Sequence, residues 1–203
     1  MRHSELVRRI EAVPLFAHPR PELEQVVTPA EAAADLLGTA MRSVGLQEAS
    51  VADLGCGTGR LAIGAALLGA APVVGVDADP APLELARAAA AAAGVSVTWV
   101  PSDVAQWTGD CDIVVMNPPF GAQRRHADRP FWDAALRGAR RAVFAFALAD
   151  SRTFIARRAV ASGARIIETH PVPWTLARTF PHHAHARKAI SVDLWAIATG
   201  TQP

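Results

Sequence analysis

The chain has 203 residues, of which 51% are hydrophobic and 19% are charged, and 20 basic and 19 acidic side chains give a net charge of +1. This length fits one domain, and the apolar fraction is enough for a sizeable core, so a largely disordered chain is excluded. The near-neutral balance argues against a protein coated in basic charge for nucleic-acid binding, but it is compatible with a local basic patch.

The sequence does not predict a membrane span or an export signal. The most apolar segment, residues 62–76, is interrupted by three glycines and a proline, and the first residues are charged rather than apolar. The two cysteines, Cys56 and Cys111, form neither a disulfide framework nor a metal-ligand spacing. We therefore expect a cytoplasmic protein that has no membrane partner and no bound metal.

The pattern of apolar residues predicts strands that alternate with helices. After a short helix over 4–13 and a proline-rich loop, Thr28 is expected to cap a helix that ends near Val44, with Pro29 at its first position and Glu31 completing a capping box. The next predicted helices span residues 60–68, 81–93, 131–138 and 152–161. The predicted strands span residues 51–54, 73–76, 95–100, 113–116, 142–148, 165–169 and 190–198.

This alternation is typical of an α/β fold in which a parallel sheet carries helices on both faces. No helix separates the last two strands, so we expect an antiparallel strand near one edge of a seven-stranded, mostly parallel, Rossmann-like sheet. Residues 1–203 should form a single domain, with a helical extension over 1–45 and the sheet core over 46–203. Ligands of such sheets bind at the carboxyl ends of the strands, near the point where the strand order reverses.

A glycine-rich turn, residues 53–59 (DLGCGTG), follows the first predicted strand and begins a helix. Its glycines allow a tight turn and a close approach to a ligand. Asp77 ends the second strand, 18 residues after Gly59, where a carboxylate can bind both ribose hydroxyls, and Asp103 follows the third strand. Three acidic strand ends suit a nucleoside that carries an amino acid better than a dinucleotide, whose pyrophosphate would be repelled by Asp53. The alternative is a tight structural turn.

The fourth predicted strand ends in the tetrapeptide Asn117-Pro118-Pro119-Phe120. The side-chain carbonyl of Asn117 and the backbone carbonyl of Pro118 can both accept hydrogen bonds from one planar NH2 group. Such bonds localise the nitrogen lone pair for attack on an electrophilic methyl group, and Phe120 offers a face on which a base can stack. Positioning would supply most of the rate. All four residues are candidate catalytic residues; the alternative is a rigid Pro-Pro turn.

Together the motifs resemble those of class I S-adenosylmethionine-dependent methyltransferases that act on an amino group. Over nearly its whole length the chain is similar to the archaeal and eukaryotic RNA methylase family typified by methyltransferase-like protein five, which methylates N6 of adenine in small-subunit ribosomal RNA. Leu23-Glu24-Gln25, followed by Thr28-Pro29, is the discriminating segment, because the tetrapeptide also occurs in DNA and protein-glutamine methylases. The other matching segments are residues 53–59, 61–64, 115–121, 180–183 and 192–194.

The resemblance implies roles for individual residues. The segment that contains Gln25 and Thr28 would act as a lid over the methionine end of S-adenosylmethionine, while Asp77 would hold its ribose and Asp103 its adenine amine. The implied cofactor-binding residues are Gln25, Thr28, Asp53, Gly55, Gly57, Asp77, Asp103 and Asn117. The chain departs from the family at Val26, where an aromatic residue is usual, and at Ala147-Leu148, where His-Lys is frequent.

Two basic clusters are candidate contacts for RNA phosphates. One spans residues 124–129 and the other residues 170–189; each could instead be an ordinary solvated loop. The candidate RNA-binding residues are Arg124, Arg125, Arg129, Arg178, Arg187 and Lys188. In the second cluster, His182, His183 and His185 lack the wider spacing and fourth ligand of most zinc sites. Trp174 and Phe180 could stack on bases or cover the edge of the core.

The predicted strand over 95–100 should lie at the edge of the sheet, where it could accept a strand from a partner. Members of the resembled family are activated by a small zinc-binding methyltransferase activator protein, so a similar contact is expected here. The sequence thus favours an S-adenosylmethionine-dependent adenine-N6 methyltransferase of RNA, since no separate recognition domain fits in 203 residues. The alternatives are a DNA-adenine methylase, a protein-glutamine methylase and a non-catalytic RNA-binding assembly factor; the retained glycines and Asn117 argue against the last.

Overall fold

The computed structural model describes residues 1–121, 123–174 and 191–200. The helices are α1 (His3–Glu11), α2 (Ala30–Ser43), α3 (Arg60–Leu67), α4 (Pro80–Ala93), α5 (Arg129–Gly138) and α6 (Arg152–Ala161). The strands are β1 (Val51–Leu54), β2 (Val73–Asp77), β3 (Thr98–Pro101), β4 (Cys111–Met116), β5 (Ala139–Leu148), β6 (Arg165–Val172) and β7 (Val192–Ala198). No helix in these described ranges is long and apolar enough to cross a membrane.

The seven strands form one sheet in the order β3-β2-β1-β4-β5-β7-β6. The first five strands pair in parallel, whereas β7 runs antiparallel between β5 and β6. The seven-stranded, mostly parallel sheet with an antiparallel strand near one edge is therefore confirmed. The strand order reverses at β1 and β4, so the loops after these two strands border the crevice where ligands of such sheets bind.

Alternate strand residues pack against helices on opposite faces of the sheet, as the period of two in a strand requires. Ile113 and Val115 of β4 belong to a core that contains α2 and α3, while Val114 and Met116 belong to a second core with α5 and α6. Covered on both sides, residues 113–116 of β4 are continuously apolar rather than alternating. In the first core, small side chains of α2 allow the helix to lie close to the sheet.

The predicted cap of α2 is wrong. The helix begins at Ala30 with Pro29 as its N-cap, and the cap makes no side-chain hydrogen bond. The Thr28 hydroxyl instead accepts a hydrogen bond from Asn117 Nδ2 at 3.0 Å, 89 residues away in the chain. A tertiary contact has therefore replaced the local contact that the Thr-Pro-Ala-Glu pattern suggested.

Several strand ends also differ from the prediction. β3 begins only at Thr98, because Val95 donates a hydrogen bond to Ala90 and so closes the end of α4. β5 begins at Ala139, three residues earlier than predicted, and its polar start is stabilised because Arg140 pairs with two aspartates near the start of β4, Asp110 and Asp112. β6 continues to Val172 because β7 pairs with it over that length.

Candidate active site

The glycine-rich turn between β1 and α3 requires glycine on two grounds. Gly55 and Gly57 have φ values of 74° and 52°, in the left-handed region that side chains disfavour. A Cβ atom on Gly55 would lie 2.8 Å from the ring of Phe131, and one on Gly57 would lie 2.7 Å from the ring of Phe16. The two rings thus approach the backbone of the turn, and both line the adjoining cavity.

A cavity of about 630 Å³ lies between this turn, the ends of β2 and β4, and the segment before α2. Its volume is in the usual range for a site that holds a small molecule or a cofactor. It brings together most of the residues selected from the sequence. These are Gln25, Gly55, Gly57, Asp77, Asp103, Asn117, Pro119, Arg124, Arg125 and Arg129.

A second, smaller cavity of about 30 Å³ holds the other two predicted cofactor residues, Thr28 and Asp53, together with Asn117. Two buried oxygen atoms, Asp53 Oδ1 and Asn117 Oδ1, have no hydrogen-bond partner among the described residues. Buried polar atoms are nearly always paired in folded proteins, so these two acceptors are open to donors from a bound ligand or from an ordered water.

Asp53 is almost completely buried at the end of β1. Its Oδ2 atom accepts a hydrogen bond from the Ala62 backbone N–H at 2.9 Å, near the start of α3. Burial raises the pKa of Asp53 to about 8, more than this hydrogen bond lowers it. A positively charged ligand would favour the ionised form of this carboxyl group.

The other two acidic strand ends differ in their surroundings. Asp77 is half-buried, and its two oxygens accept backbone hydrogen bonds from Gly57 at 2.8 Å and from Asp79 at 2.9 Å. Burial raises its pKa, although both hydrogen bonds oppose the shift. Asp103 is exposed, and its Oδ1 atom caps a short turn through the Ala105 N–H at 2.8 Å. Each carboxylate oxygen has a second lone pair available for a ligand hydroxyl or amine.

The segment before α2 is fixed to the cofactor side of the cavity by a buried contact that sequence reasoning missed. Gln25 donates a hydrogen bond from Nε2 to Asp79 Oδ2 at 2.8 Å and accepts one from the Arg20 N–H at 2.8 Å. Asp79 was recognisable as a cap because it stands before Pro80, and it does cap α4. Its partner, 54 residues earlier in the chain, had no signal in the sequence.

The residues of the tetrapeptide face different surroundings. Asn117 and Pro119 line the large cavity, and Pro118 is buried. The ring of Phe120 packs edge-on against Trp174, with the centroids 5.8 Å apart. Trp174 is 7% exposed and also contacts Phe146, so it covers the core rather than offering a free stacking face.

The first basic cluster lies at the mouth of the large cavity. Arg124, Arg125 and Arg129 are exposed and line it, and the Arg129 guanidinium lies 5.1 Å from the centroid of the Phe154 ring. The remaining candidates of the second cluster lie outside the described residues. These are Arg178, Phe180, His182, His183, His185, Arg187 and Lys188.

Comparison with known proteins identifies the family. Residues 29–144 match the methyltransferase small domain. The chain belongs to the methyltransferase small domain family. The chain is 32% identical to the rRNA N(6)-adenosine-methyltransferase of Drosophila melanogaster, over 98% of this chain and 97% of that protein. It is 30% identical to the protein of the same name from Danio rerio, over 95% of this chain and 97% of that one.

A solved structure agrees with this assignment. The crystal structure of a candidate RNA methyltransferase from Pyrococcus horikoshii superposes with a TM-score of 0.91, at 32% identity over 99% of both chains. The resemblance to the RNA methylase family is therefore confirmed, as are the class I methyltransferase fold and a methyltransferase activity that uses S-adenosylmethionine. The cavities described above occupy the place in this methyltransferase fold where sheets of this kind bind ligands.

Proposed function

We propose that this methyltransferase transfers a methyl group from S-adenosylmethionine to N6 of an adenine in ribosomal RNA, with small-subunit RNA as the first candidate. The orphaned Asn117 Oδ1 atom, buried where the glycine-rich turn meets the tetrapeptide, is the observation that carries the chemistry. The end-to-end similarity to two rRNA N(6)-adenosine-methyltransferases supports the choice of RNA.

The residues around the two cavities fit S-adenosylmethionine. Asp53 Oδ1 is an unpaired buried acceptor that suits the positively charged methionine end, and Gly55 and Gly57 line the large cavity beside it. Asp77 and Asp103 would hold the ribose and the adenine amine, and Gln25 and Thr28 would close over the methionine end. When bound, the cofactor supplies an electrophilic methyl group attached to a positively charged sulfur.

The chain itself orients the target nitrogen. Asn117 Oδ1 and the carbonyl of Pro118 would each accept one N–H of the target amine, which places the nitrogen lone pair toward the methyl group. A carbonyl oxygen is a very weak base, so the proton released from the methylated nitrogen passes to solvent rather than to the protein. Pro119 would form part of the wall beside the base, while Phe120 holds the loop against Trp174.

Exposed arginines would hold the RNA backbone around this pocket. Arg124, Arg125 and Arg129 lie at its mouth, and guanidinium groups bind phosphate well. Arg178, Arg187 and Lys188 remain proposals from the sequence. The structure adds Arg152, which the sequence analysis missed: it forms two hydrogen bonds to the buried Asp193, of 2.6 and 2.7 Å.

Arg152 supplies a cation close to a position where the family often has one. Asp193 pairs in register with Ala147, near the end of β5. Ala147-Leu148 stand where the resembled family frequently has His-Lys, and the half-exposed guanidinium of Arg152 is held next to this strand end. Because Asp193 offsets this charge, Arg152 would fix the strand end on the same edge of the sheet as the target pocket without adding net positive charge.

Methyl transfer can be tested with the intact chain and tritium-labelled S-adenosylmethionine. Total RNA, DNA and protein fractions are offered in parallel, and the labelled products are hydrolysed and identified. We expect label in N6-methyladenosine of ribosomal RNA. Label in N6-methyldeoxyadenosine or in methylglutamine would contradict the RNA assignment, and no label in any fraction would favour the non-catalytic assembly factor.

We further propose that the edge of the sheet at β3 receives a strand of a small zinc-binding activator protein. β3 is the first strand in the sheet order, with Thr98 and Pro101 exposed. Trp99 points inward, since Cβ atoms on Gly59 and Gly75 would lie 2.6 and 2.5 Å from its ring, so the contact would use the strand backbone. Co-expression should yield a stable complex in which the amides of Thr98, Trp99 and Val100 gain protection from hydrogen exchange. Separate elution on size exclusion would contradict the proposal.

A further inference from the structure

Glu24 makes long-range contacts that neither the cofactor site nor the tetrapeptide accounts for. It follows a single helical turn, Pro21–Leu23, and has φ 49° and ψ 40°, a left-handed conformation that is uncommon outside glycine. Residues are kept in such conformations where surrounding contacts over-determine them. The contacts of the Glu24 side chain therefore need an explanation.

The Glu24 carboxylate accepts hydrogen bonds from the loop that directly follows the tetrapeptide. Oε2 accepts from the Gly121 N–H at 2.9 Å, and Oε1 accepts from the Gln123 N–H at 2.8 Å and the Arg124 N–H at 3.4 Å. Gly121 itself has φ 83°. One carboxylate thus gathers three backbone donors that lie about a hundred residues later in the chain, and charge-assisted bonds of this kind are stronger than neutral ones.

The residue that follows Glu24 faces the other half of the site. Gln25 bonds to Asp79, whose backbone N–H in turn bonds to Asp77 at the end of β2. Glu24 bonds to the loop at Gly121, next to Phe120 of the tetrapeptide. Two adjacent side chains therefore connect the cofactor side of the cavity to the loop that carries the target-binding residues.

We propose that Glu24 is a positioning residue for methyl transfer, whose carboxylate holds the loop at Gly121, Gln123 and Arg124 so that the target acceptors and the arginines of the cavity mouth face the bound base. This inference rests on the proposed function. Holding the loop fixes the end of the tetrapeptide, and a small misplacement of reacting groups costs orders of magnitude in rate. The same carboxylate also accepts a hydrogen bond from the Arg124 N–H, so it orients Arg124 at the mouth of the cavity.

The test compares the full-length wild type with Glu24→Ala, Glu24→Gln and Glu24→Asp. Glu24→Gln removes the charge and places an NH2 donor opposite the backbone N–H donors of the loop. Glu24→Asp keeps the charge, but its side chain is one methylene group shorter. We expect kcat/KM for ribosomal RNA to fall about tenfold to a hundredfold in Glu24→Ala and Glu24→Gln, with partial rescue in Glu24→Asp. Affinity for S-adenosylhomocysteine should stay within about threefold, because Gln25 keeps its contact with Asp79. Glu31→Gln, at an exposed glutamate on α2, is the control.

Hydrogen exchange tests the contact between Glu24 and the loop independently of activity. The amides of Gly121 and Gln123 should lose protection in Glu24→Ala and Glu24→Gln but not in Glu31→Gln. Unchanged protection, or wild-type turnover in Glu24→Gln, would overturn the proposal, and so would a loss of thermal stability that lowers cofactor affinity as much as RNA turnover. If the wild type places no label on ribosomal RNA adenine, the proposed function fails, while the exchange result still decides whether Glu24 holds the loop.

Discussion

Replacing Asn117 by alanine should separate stability from activity. Asn117 is the only asparagine in the chain. The substitution removes one hydrogen bond to Thr28, which contributes about 1 kcal/mol, but it also removes a buried acceptor without a partner, whose burial costs about 1–3 kcal/mol. Because these effects oppose each other, we expect the free energy of unfolding to stay within about 2 kcal/mol of the wild type.

Turnover should fall far more than stability. Asn117 would supply one of the two acceptors that orient the target amine, and loss of one preorganised hydrogen-bonding group in an active site costs about 2.7–4 kcal/mol, a factor of about 10² to 10³ in kcat. Radiolabelled methyl transfer gives kcat, calorimetry gives the affinity for S-adenosylhomocysteine, and urea denaturation gives the stability. Gln106→Ala, which removes an exposed carboxamide, serves as the control. Turnover within threefold of wild type, or an equal loss of cofactor affinity, would refute the assignment of Asn117.

Three further predictions concern buried or paired charges. Asp77→Asn should weaken binding of S-adenosylhomocysteine about tenfold to a hundredfold in calorimetry, since a charged acceptor contributes about 1.5–3 kcal/mol; unchanged affinity would exclude Asp77 as the ribose ligand. The pKa of Asp53 is about 8 in the folded state against 3.8 in its unperturbed form, so between these pH values the folded state holds a proton that the unfolded state has released. The free energy of unfolding therefore falls as the pH rises through this range, by up to about 1.4 kcal/mol per pH unit. Asp53→Asn should remove this slope in urea unfolding between about pH 5 and pH 8, and parallel curves for the two proteins would contradict the assignment. Arg152→Met should lower the free energy of unfolding by about 2–3 kcal/mol, because it leaves the buried Asp193 carboxylate without its partner; the exposed Arg157→Met is the control, and equal losses in both would contradict the reasoning.

The elements of the sheet were predictable because their signals are local. A short, mostly apolar run followed by a glycine-rich turn, as at 51–59, or by Asn-Pro, as at 113–118, defines a buried strand and its carboxyl end within a few residues. Because the strands are parallel, their carboxyl ends lie at one edge of the sheet, and no further sequence signal is needed to predict this. The proximity of Asp77 and Asn117, which line one cavity, was accordingly predictable from the sequence.

The contacts that assemble the cavity were not predictable in the same way. The Thr-Pro-Ala-Glu pattern predicts that Thr28 caps a helix. Only the three-dimensional structure shows that the Thr28 hydroxyl bonds to Asn117 instead. The long-range partners of Glu24 and Gln25 lie between 54 and 100 residues away, and no spacing rule connects them. Phe16, in a proline-rich loop, likewise has no feature that would place its ring over Gly57.

The segment before α2 explains why a tetrapeptide common to several classes of methylase is not sufficient to define this site. β1 and β4 are neighbours in the sheet, so the glycine-rich turn and the tetrapeptide meet in any protein with this strand order. What this chain adds is a short stretch in which Glu24 bonds to the loop after the tetrapeptide, Gln25 to Asp79 at the start of α4, and Thr28 to Asn117. A substitution in this segment would change how the glycine-rich turn and the tetrapeptide are aligned, without changing the residues of either motif. The geometry of the target pocket therefore depends on this segment as well as on the tetrapeptide.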